Sequence, residues 1–195
     1  MYGERGDSMR GVGWNDMPLK AVNIPIELYT SERGRYFIGY ADDLSFGQNT
    51  SAWARLYNPI DSGVNLYVNV WTVTDISDAP FRAQFWFNAT VPGPYDIAPL
   101  TPTNTAIRPV PVPKVQLQLA SNVTNTPVGG IKAFVRRGEP GTTVVETENG
   151  KLIFPPGGSF LVYLSLSEQQ QLPASGRVAF GLWEEDRPRP YPSCC

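Results

Sequence analysis

The stretch Phe81-Arg82-Ala83-Gln84-Phe85-Trp86-Phe87-Asn88-Ala89-Thr90 carries the clearest pattern in the chain. Apolar side chains occupy every odd-numbered position from 81 to 89, and mostly polar side chains occupy the even-numbered positions. A period of two matches the alternation of side chains along a β-strand. The stretch therefore predicts a strand with one buried face and one exposed face.

Similar short segments lie on both sides of this strand. Apolar residues alternate with polar ones, or run together between turns, in 35–40, 51–57, 64–74, 114–119, 131–136, 142–147, 151–154, 160–166 and 178–182. Residues 23–29 contain Pro25 and are interpreted as an edge strand. Nine or ten strands separated by turn signals predict an all-β fold, a single jelly-roll-type antiparallel β-sandwich.

Two details of this prediction concern local structure. The residues Glu148-Asn149-Gly150 predict a tight hairpin turn, because Asn-Gly suits its left-handed backbone. The sequence contains no clear helix, although 167–172 could form a single turn.

Two tryptophans fall on apparently polar strand faces. In the strand 64–74, Trp71 shares its face with Tyr67 and Asn69, whereas Leu66, Val68 and Val70 form the other face; in the strand 81–89, Trp86 lies among polar residues. Exposed aromatic side chains often mark contact surfaces. We therefore predict that Trp71 and Trp86 contact neighbouring subunits.

Composition limits the possible partners. Of 195 residues, 42% are hydrophobic and 17% are charged, with a formal net charge of −2. This balance gives no field to attract nucleic acid or an anionic membrane. No run of 18 apolar residues predicts membrane insertion. The N-terminal sequence lacks the apolar stretch of a Sec signal peptide, so we expect any surface location to be reached without that route.

The two ends differ from the domain between them. We divide the chain into a Gly-rich N-terminal arm (1–18), a β-sandwich domain (19–186) and a Pro-rich tail (187–195). The tail ends in Cys194 and Cys195, the only cysteines, so neither has a third cysteine as a partner within the domain. A bond between neighbouring cysteines is strained. Free thiols, a metal contact and bonds to another chain remain open, and inter-subunit cross-links are favoured.

Catalysis is the least favoured class of function. The chain has no histidine, which excludes Ser-His-Asp and Cys-His mechanisms. Its acidic clusters, Asp42-Asp43 and Glu184-Glu185-Asp186, are interpreted as solvated loop charge. The tripeptide Arg5-Gly6-Asp7 matches an integrin motif, but three residues match by chance often. We predict no enzyme activity and no cofactor.

Two segments resemble known proteins. Trp53-Ala54-Arg55-Leu56-Tyr57-Asn58-Pro59, followed by Ser62-Gly63-Val64-Asn65-Leu66-Tyr67-Val68, resembles small spore-associated proteins of Firmicutes, and its turn is similar to turns in phage structural proteins. Phe154-Pro155-Pro156-Gly157-Gly158-Ser159-Phe160-Leu161-Val162 is similar to a strand entry in jelly-roll subunits of endospore appendages. The resemblance implies subunits that polymerise through an arm locked by cysteines. Here, however, the cysteines are in the tail and the arm has none.

The expected function is that of a structural subunit of an extracellular or spore-surface filament whose partner is a second copy of itself. The predicted cross-link residues are Cys194 and Cys195, and the predicted assembly contacts are Tyr2, Trp14, Trp71, Trp86 and Tyr191. One alternative is a carbohydrate-binding module with Trp and Tyr side chains as its platform, which makes a glycan an alternative partner. Another is a phage capsid or tail accessory protein.

Overall fold

The computed structural model describes residues 23–166 and 171–187. The predicted arm (1–18), nearly all of the predicted tail and most of the turn predicted at 167–172 lie outside the described residues.

One short helix and eleven strands form within the described residues. They are α1 (Ile26–Glu32), β1 (Tyr36–Phe46), β2 (Ser51–Tyr57), β3 (Val64–Asp75), β4 (Phe81–Phe87), β5 (Asp96–Ala98), β6 (Thr101–Pro102), β7 (Gln116–Val123), β8 (Ile131–Gly138), β9 (Thr143–Phe154), β10 (Ser159–Leu166) and β11 (Ala174–Asp186).

The strands pair in a nested order. β1 pairs with β11, β2 with β10, β3 with β9 and β4 with β8, all antiparallel. Two sheets result: sheet A, in the order β6-β1-β11-β3-β9, and sheet B, in the order β5-β7-β2-β10-β4-β8. This is the connectivity of a long hairpin rolled into a jelly roll. The predicted all-β sandwich is confirmed.

The connection between β4 and β8 contains the three additional strands. β6 extends sheet A beside β1, and β7 extends sheet B beside β2. The proline-rich residues 92–113 therefore run along the β1 and β2 side of the sandwich and cross from sheet B to sheet A. On the opposite side, β8 and β9 are the outermost strands of the two sheets.

The core lies between the sheets, and β4 contributes Phe81, Ala83 and Phe85 to it, as the alternation predicts. Phe81 and Phe85 are fully buried, and the Phe85 ring lies 4.3 Å from Trp71 and 4.4 Å from Phe134 between ring centroids. Burying each such side chain contributes about 1.5–3 kcal/mol. The aromatic cluster therefore provides a large share of the cohesion between the sheets.

A β-bulge at Asn69 reverses the faces of β3. Pairing with β11 passes from Val68–Leu182 to Val70–Gly181, which leaves Asn69 as an extra residue. One extra residue moves all later side chains to the opposite face. Trp71 consequently points into the core and has no exposed surface. The prediction that Trp71 lies on an exposed assembly face is wrong.

The Asn-Gly pair also has a different role from the one predicted. β9 runs without interruption through Asn149 and Gly150, which adopt φ angles of 51° and 71°. The pairing partners of β9 change from Leu152–Val68 to Thr147–Val70, so four residues of β9 oppose Asn69 alone. The left-handed backbone at Asn149 and Gly150 thus forms an irregular bulge of four residues rather than the turn of a hairpin.

Residues 23–29 do not form the predicted edge strand. The helix α1 begins directly after Pro25, whose φ is −57°. Proline lacks an N–H group to give to a sheet, and its fixed φ suits the start of a helix. The hydroxyl of Thr30, the buried residue of the helix, donates to the carbonyl oxygen of Ile26 at 2.8 Å.

The outer face of sheet B is covered by loops of its own chain. Trp53, Leu161 and Tyr163 form a second buried cluster on this face, together with Ala89, Ala120 and Val123. The Trp53 Nε1 group donates to the carbonyl oxygen of Pro92 at 3.1 Å, and the Tyr163 hydroxyl donates to that of Asn125. The residues after β4 and after β7 therefore close over the centre of sheet B.

Candidate functional site

Most of the predicted assembly residues cannot be placed. Cys194, Cys195, Tyr2, Trp14 and Tyr191 lie outside the described residues. Their roles in cross-linking and assembly therefore stay predictions.

The four tryptophans among the described residues do not form an exposed platform. Trp53, Trp71 and Trp183 are buried. Trp86 is half-buried, packs against the second cluster and lies under the ammonium group of Lys132, 5.0 Å from the ring centroid. Trp86 is therefore the only partly exposed tryptophan among the described residues, and a single ring does not form a platform for glycans.

The first candidate surface is an apolar groove on the outer face of sheet A. It has a volume of about 560 Å³ and crosses β1, β11 and β3. We call it the sheet A groove; its lining residues are Ile38, Gly39, Tyr40, Val70, Thr72, Pro99, Thr101, Ala179, Phe180 and Gly181. Ile38 and Tyr40 are 48% and 61% exposed, which is unusual for large apolar side chains on neighbouring outward positions of one strand.

The groove follows from small residues on β11. Ala179 and Gly181 face outward between the larger side chains of β1 and β3, so the sheet surface is low along this central strand. A Cβ atom on Gly181 would lie 2.8 Å from Val70 Cγ1 and 2.6 Å from the Tyr36 hydroxyl. Glycine at position 181 therefore leaves room for the side chains of Val70 and Tyr36 to lie against the strand.

The second candidate is a polar pocket on the outer face of sheet B. It has a volume of about 440 Å³ and lies between β2 and the loop after β4. We call it the Arg55 pocket; its lining residues are Arg55, Tyr57, Asn88, Ala89, Thr90, Val91, Gly93, Tyr95, Gly157 and Ser159.

Arg55 is held in this pocket by neutral groups. Its Nε and Nη2 groups both donate to Gln118 Oε1, and Nη1 donates to the carbonyl oxygen of Ala89 at 3.4 Å. The guanidinium carbon lies 4.9 Å from the centroid of the Tyr57 ring. Among the described residues, no carboxylate forms an ion pair with Arg55. The pocket thus contains a cation without a counter-charge.

The burial of this cation has an electrostatic cost. Arg55 is only 9% exposed, and desolvation lowers the pKa of its guanidinium group. A buried charge is ordinarily retained only when a partner compensates its lost hydration. Cation–π contacts with Tyr57 and Trp53 compensate in part. The arrangement can attract an anion into the pocket.

The acidic cluster at the end of β11 has a structural role. Glu184, expected in solvent, is 6% exposed, and its Oε1 atom accepts hydrogen bonds from the backbone amides of Lys114 and Val115 at 2.8 Å each. Burial raises the pKa of Glu184, and the two amide hydrogen bonds oppose that rise. Glu184 thereby fastens the end of the proline-rich connection to sheet A.

Neither a metal-binding cluster nor a membrane-spanning helix is found in the described part of the chain. Residues 23–166 and 171–187 bring together no group of three or more His, Cys, Asp and Glu side chains suited to a metal ion. The same residues contain no helix of sufficient length and apolar character to cross a membrane.

Sequence reasoning missed both the sheet A groove and the Arg55 pocket. A signal for the pocket does exist, because Arg55 stands between Trp53 and Tyr57 at a spacing of two and must share their strand face. The loop that closes the pocket is distant in sequence and gave no such signal.

Comparison with known proteins places the chain in a family. No curated protein and no solved structure matches it. A family model, described as a family of unknown function (DUF6143), matches residues 14–188. This match covers all of the described strands, and the chain therefore belongs to the DUF6143 family.

Proposed function

We propose that the protein is a structural subunit that associates with copies of itself, and that the sheet A groove receives the N-terminal arm of a second copy. The observation that carries the proposal is the apolar groove itself. Ile38 and Tyr40 expose large apolar areas on a sheet face that no other part of the described chain covers. Burying such area in a partner is the usual source of association energy.

The position of α1 supports the arm as the occupant. The Ser31 hydroxyl, near the end of α1, lies 2.8 Å from the Thr103 hydroxyl, and Thr103 follows β6, whose Thr101 lines the groove. The segment 1–22 precedes α1, and the far end of this helix contacts the residue that follows a strand lining the groove. Twenty-two extended residues span up to roughly 70–80 Å, which is enough to reach a neighbouring subunit.

The composition of the arm suits the groove. Tyr2 and Trp14 are its large aromatic residues, and Met1, Met9 and Val12 add further apolar side chains.

An arm that binds the groove of the next copy makes a head-to-tail contact, and such a contact produces a fibre when the rotation does not close. The setting we propose is an extracellular or spore-surface filament, in keeping with the resemblance to endospore appendage subunits.

A charge placed in the groove should prevent association. We expect Ile38→Asp to weaken self-association at least about 100-fold, because an unpaired carboxylate would be buried at the contact. Ile38 is half-exposed, so the domain should still fold. The measurement is sedimentation velocity over a range of protein concentrations. Ile60→Asp is the matched control, since Ile60 is 80% exposed and lies outside the groove.

A truncated chain identifies the occupant in the same measurement. Deletion of residues 1–15 removes Tyr2 and Trp14 and should leave a folded monomer that forms no fibres. Fibres of normal length from this truncation would overturn the arm as the occupant. Wild-type protein that stays monomeric at every concentration would overturn the proposal as a whole.

The tail provides a separate, covalent contribution. We expect the double variant Cys194→Ser, Cys195→Ser to assemble but to dissociate on dilution, because only non-covalent contacts would remain. Electron microscopy of negatively stained wild-type protein, with and without reductant, should show the same loss. Wild-type assemblies that resist both reductant and dilution would contradict the cross-link.

A further inference from the structure

We propose that the Arg55 pocket binds the carboxylate of an acidic sugar, of the uronic or sialic acid class. This inference concerns sheet B and goes beyond the self-association proposed for sheet A. It rests on the charge in the pocket, on the unused donors of Arg55 and on the character of the surrounding walls.

The single positive charge of the pocket is matched by a ligand with a single negative charge. Arg55 is the only cation among the described residues that line the pocket, and no anion lines it. One carboxylate would neutralise the guanidinium group, whereas a phosphate dianion would leave excess charge in a partly buried site. The pocket therefore suits a monoanion.

The unused donors of Arg55 match a planar anion. A guanidinium group has five N–H donors. Hydrogen bonds to Gln118 and Ala89 use three of them: Nε, one on Nη2 and one on Nη1. One N–H group remains on each terminal nitrogen, and a pair of this kind binds the two oxygens of a carboxylate.

The walls of the pocket suit a hydroxylated ring. The side chains of Thr90 and Ser159 provide hydroxyl groups, and Tyr57 and Tyr95 provide aromatic surface that ends in a phenol. Gly93 and Gly157 let the ligand approach the backbone closely. Asn88 is fixed by its Oδ1 atom, which accepts from the Ser159 amide at 3.0 Å.

The size of the pocket sets the length of the ligand. Its volume of about 440 Å³ is at the lower end of the range for small-molecule sites, roughly 300–1,000 Å³. One or two sugar rings fill such a space. Tyr95 is 47% exposed at the pocket and can contact a second ring.

Binding of a sugar acid and of its neutral ester tests the proposal directly. The probes are galacturonic acid and N-acetylneuraminic acid, each compared with its methyl ester by isothermal titration calorimetry. We expect at least one acid to bind and its ester to bind about 10- to 100-fold more weakly, because the ester loses a charge-assisted hydrogen bond. Binding of neither acid, or equal binding of acid and ester, would overturn the proposal.

Variants locate the site. The double variant Arg55→Met, Gln118→Leu removes the cation together with its buried partner, which avoids leaving Gln118 Oε1 without a donor. It should lose affinity for the acid about 10- to 100-fold while keeping the wild-type circular dichroism spectrum. Tyr95→Ala should weaken binding with less risk to folding, because Tyr95 is half-exposed. Wild-type affinity in both variants would overturn the site.

A variant of the other sheet separates this proposal from self-association. Ile38→Asp should bind the acid with wild-type affinity, because Ile38 lies on sheet A and is not part of the Arg55 pocket. Loss of acid binding in this variant would contradict a site confined to sheet B.

Discussion

Replacement of Trp71 by alanine should lower the free energy of unfolding by about 3–5 kcal/mol, the range for large aromatic residues in a packed core. The Trp71 indole has no exposed surface and packs against Phe85 and Phe134. Its Nε1 group donates to Glu148 Oε1 at 3.1 Å. The substitution would leave a cavity between the sheets and an acceptor without its donor. Urea denaturation followed by circular dichroism measures the loss.

Two further variants separate packing from other effects. Trp71→Phe keeps most of the apolar volume but removes the hydrogen bond to Glu148, so we expect a loss of about 1–3 kcal/mol. Trp86→Ala should cost less than Trp71→Ala, because Trp86 is only half-buried. If Trp71 were a surface contact, Trp71→Ala would change the stability of the monomer by no more than about 0.5 kcal/mol. That result would contradict the core position.

The sandwich could be predicted because its signal is local. A strand with one buried face alternates between apolar and polar residues, and in β4 this alternation appears in seven consecutive residues, Phe81–Phe87. The nested pairing has no such local signal, because among the described strands no two that are consecutive in sequence are neighbours in either sheet. The local pattern predicts burial less well in β10, because this strand is buried on both faces. Leu161 and Tyr163 appear to face solvent until the loops over sheet B are included.

The reversal at Asn69 could not be predicted, because it depends on the neighbouring strands. The bulge in β3 exists where β11 and β9 omit a partner for Asn69. The Asn69 Nδ2 group donates to the Tyr36 hydroxyl at 2.7 Å, a contact between residues 33 positions apart. No pattern within 64–74 alone indicates that contact. Alternation read without the bulge therefore assigned Trp71 to the wrong face.

The candidate sites depend on the same long-range structure. The sheet A groove combines Ile38 of β1 with Val70 of β3 and Gly181 of β11, which are distant in sequence. The Arg55 pocket needs the loop after β4 to fold back over β2. The sequence shows an arginine between aromatic residues in the Arg55 pocket and an isoleucine in the sheet A groove. It does not show the long-range contacts that bring the walls of each site together.

Replacement of Gly150 by alanine should lower the free energy of unfolding by about 2–5 kcal/mol, through backbone strain and overpacking together. Gly150 has a φ of 71°, and a Cβ atom there would overlap Trp183 Cη2. The Trp183 ring cannot easily move away, because it stacks on Tyr67 at 5.2 Å and lies 6.5 Å from Tyr36. Thermal and urea denaturation of the variant measure the effect.

Gly63→Ala is the matched control, because Gly63 has the same φ of 71° and a Cβ atom there would meet nothing within 4 Å. It should cost only the backbone strain, about 1–2 kcal/mol. The difference in the loss of unfolding free energy between the two variants measures how firmly the β9 bulge packs against the Trp183 ring. Equal losses would mean that the ring gives way freely. The bulge at Asn149 and Gly150 would then not be the element that holds the Trp183 ring in place.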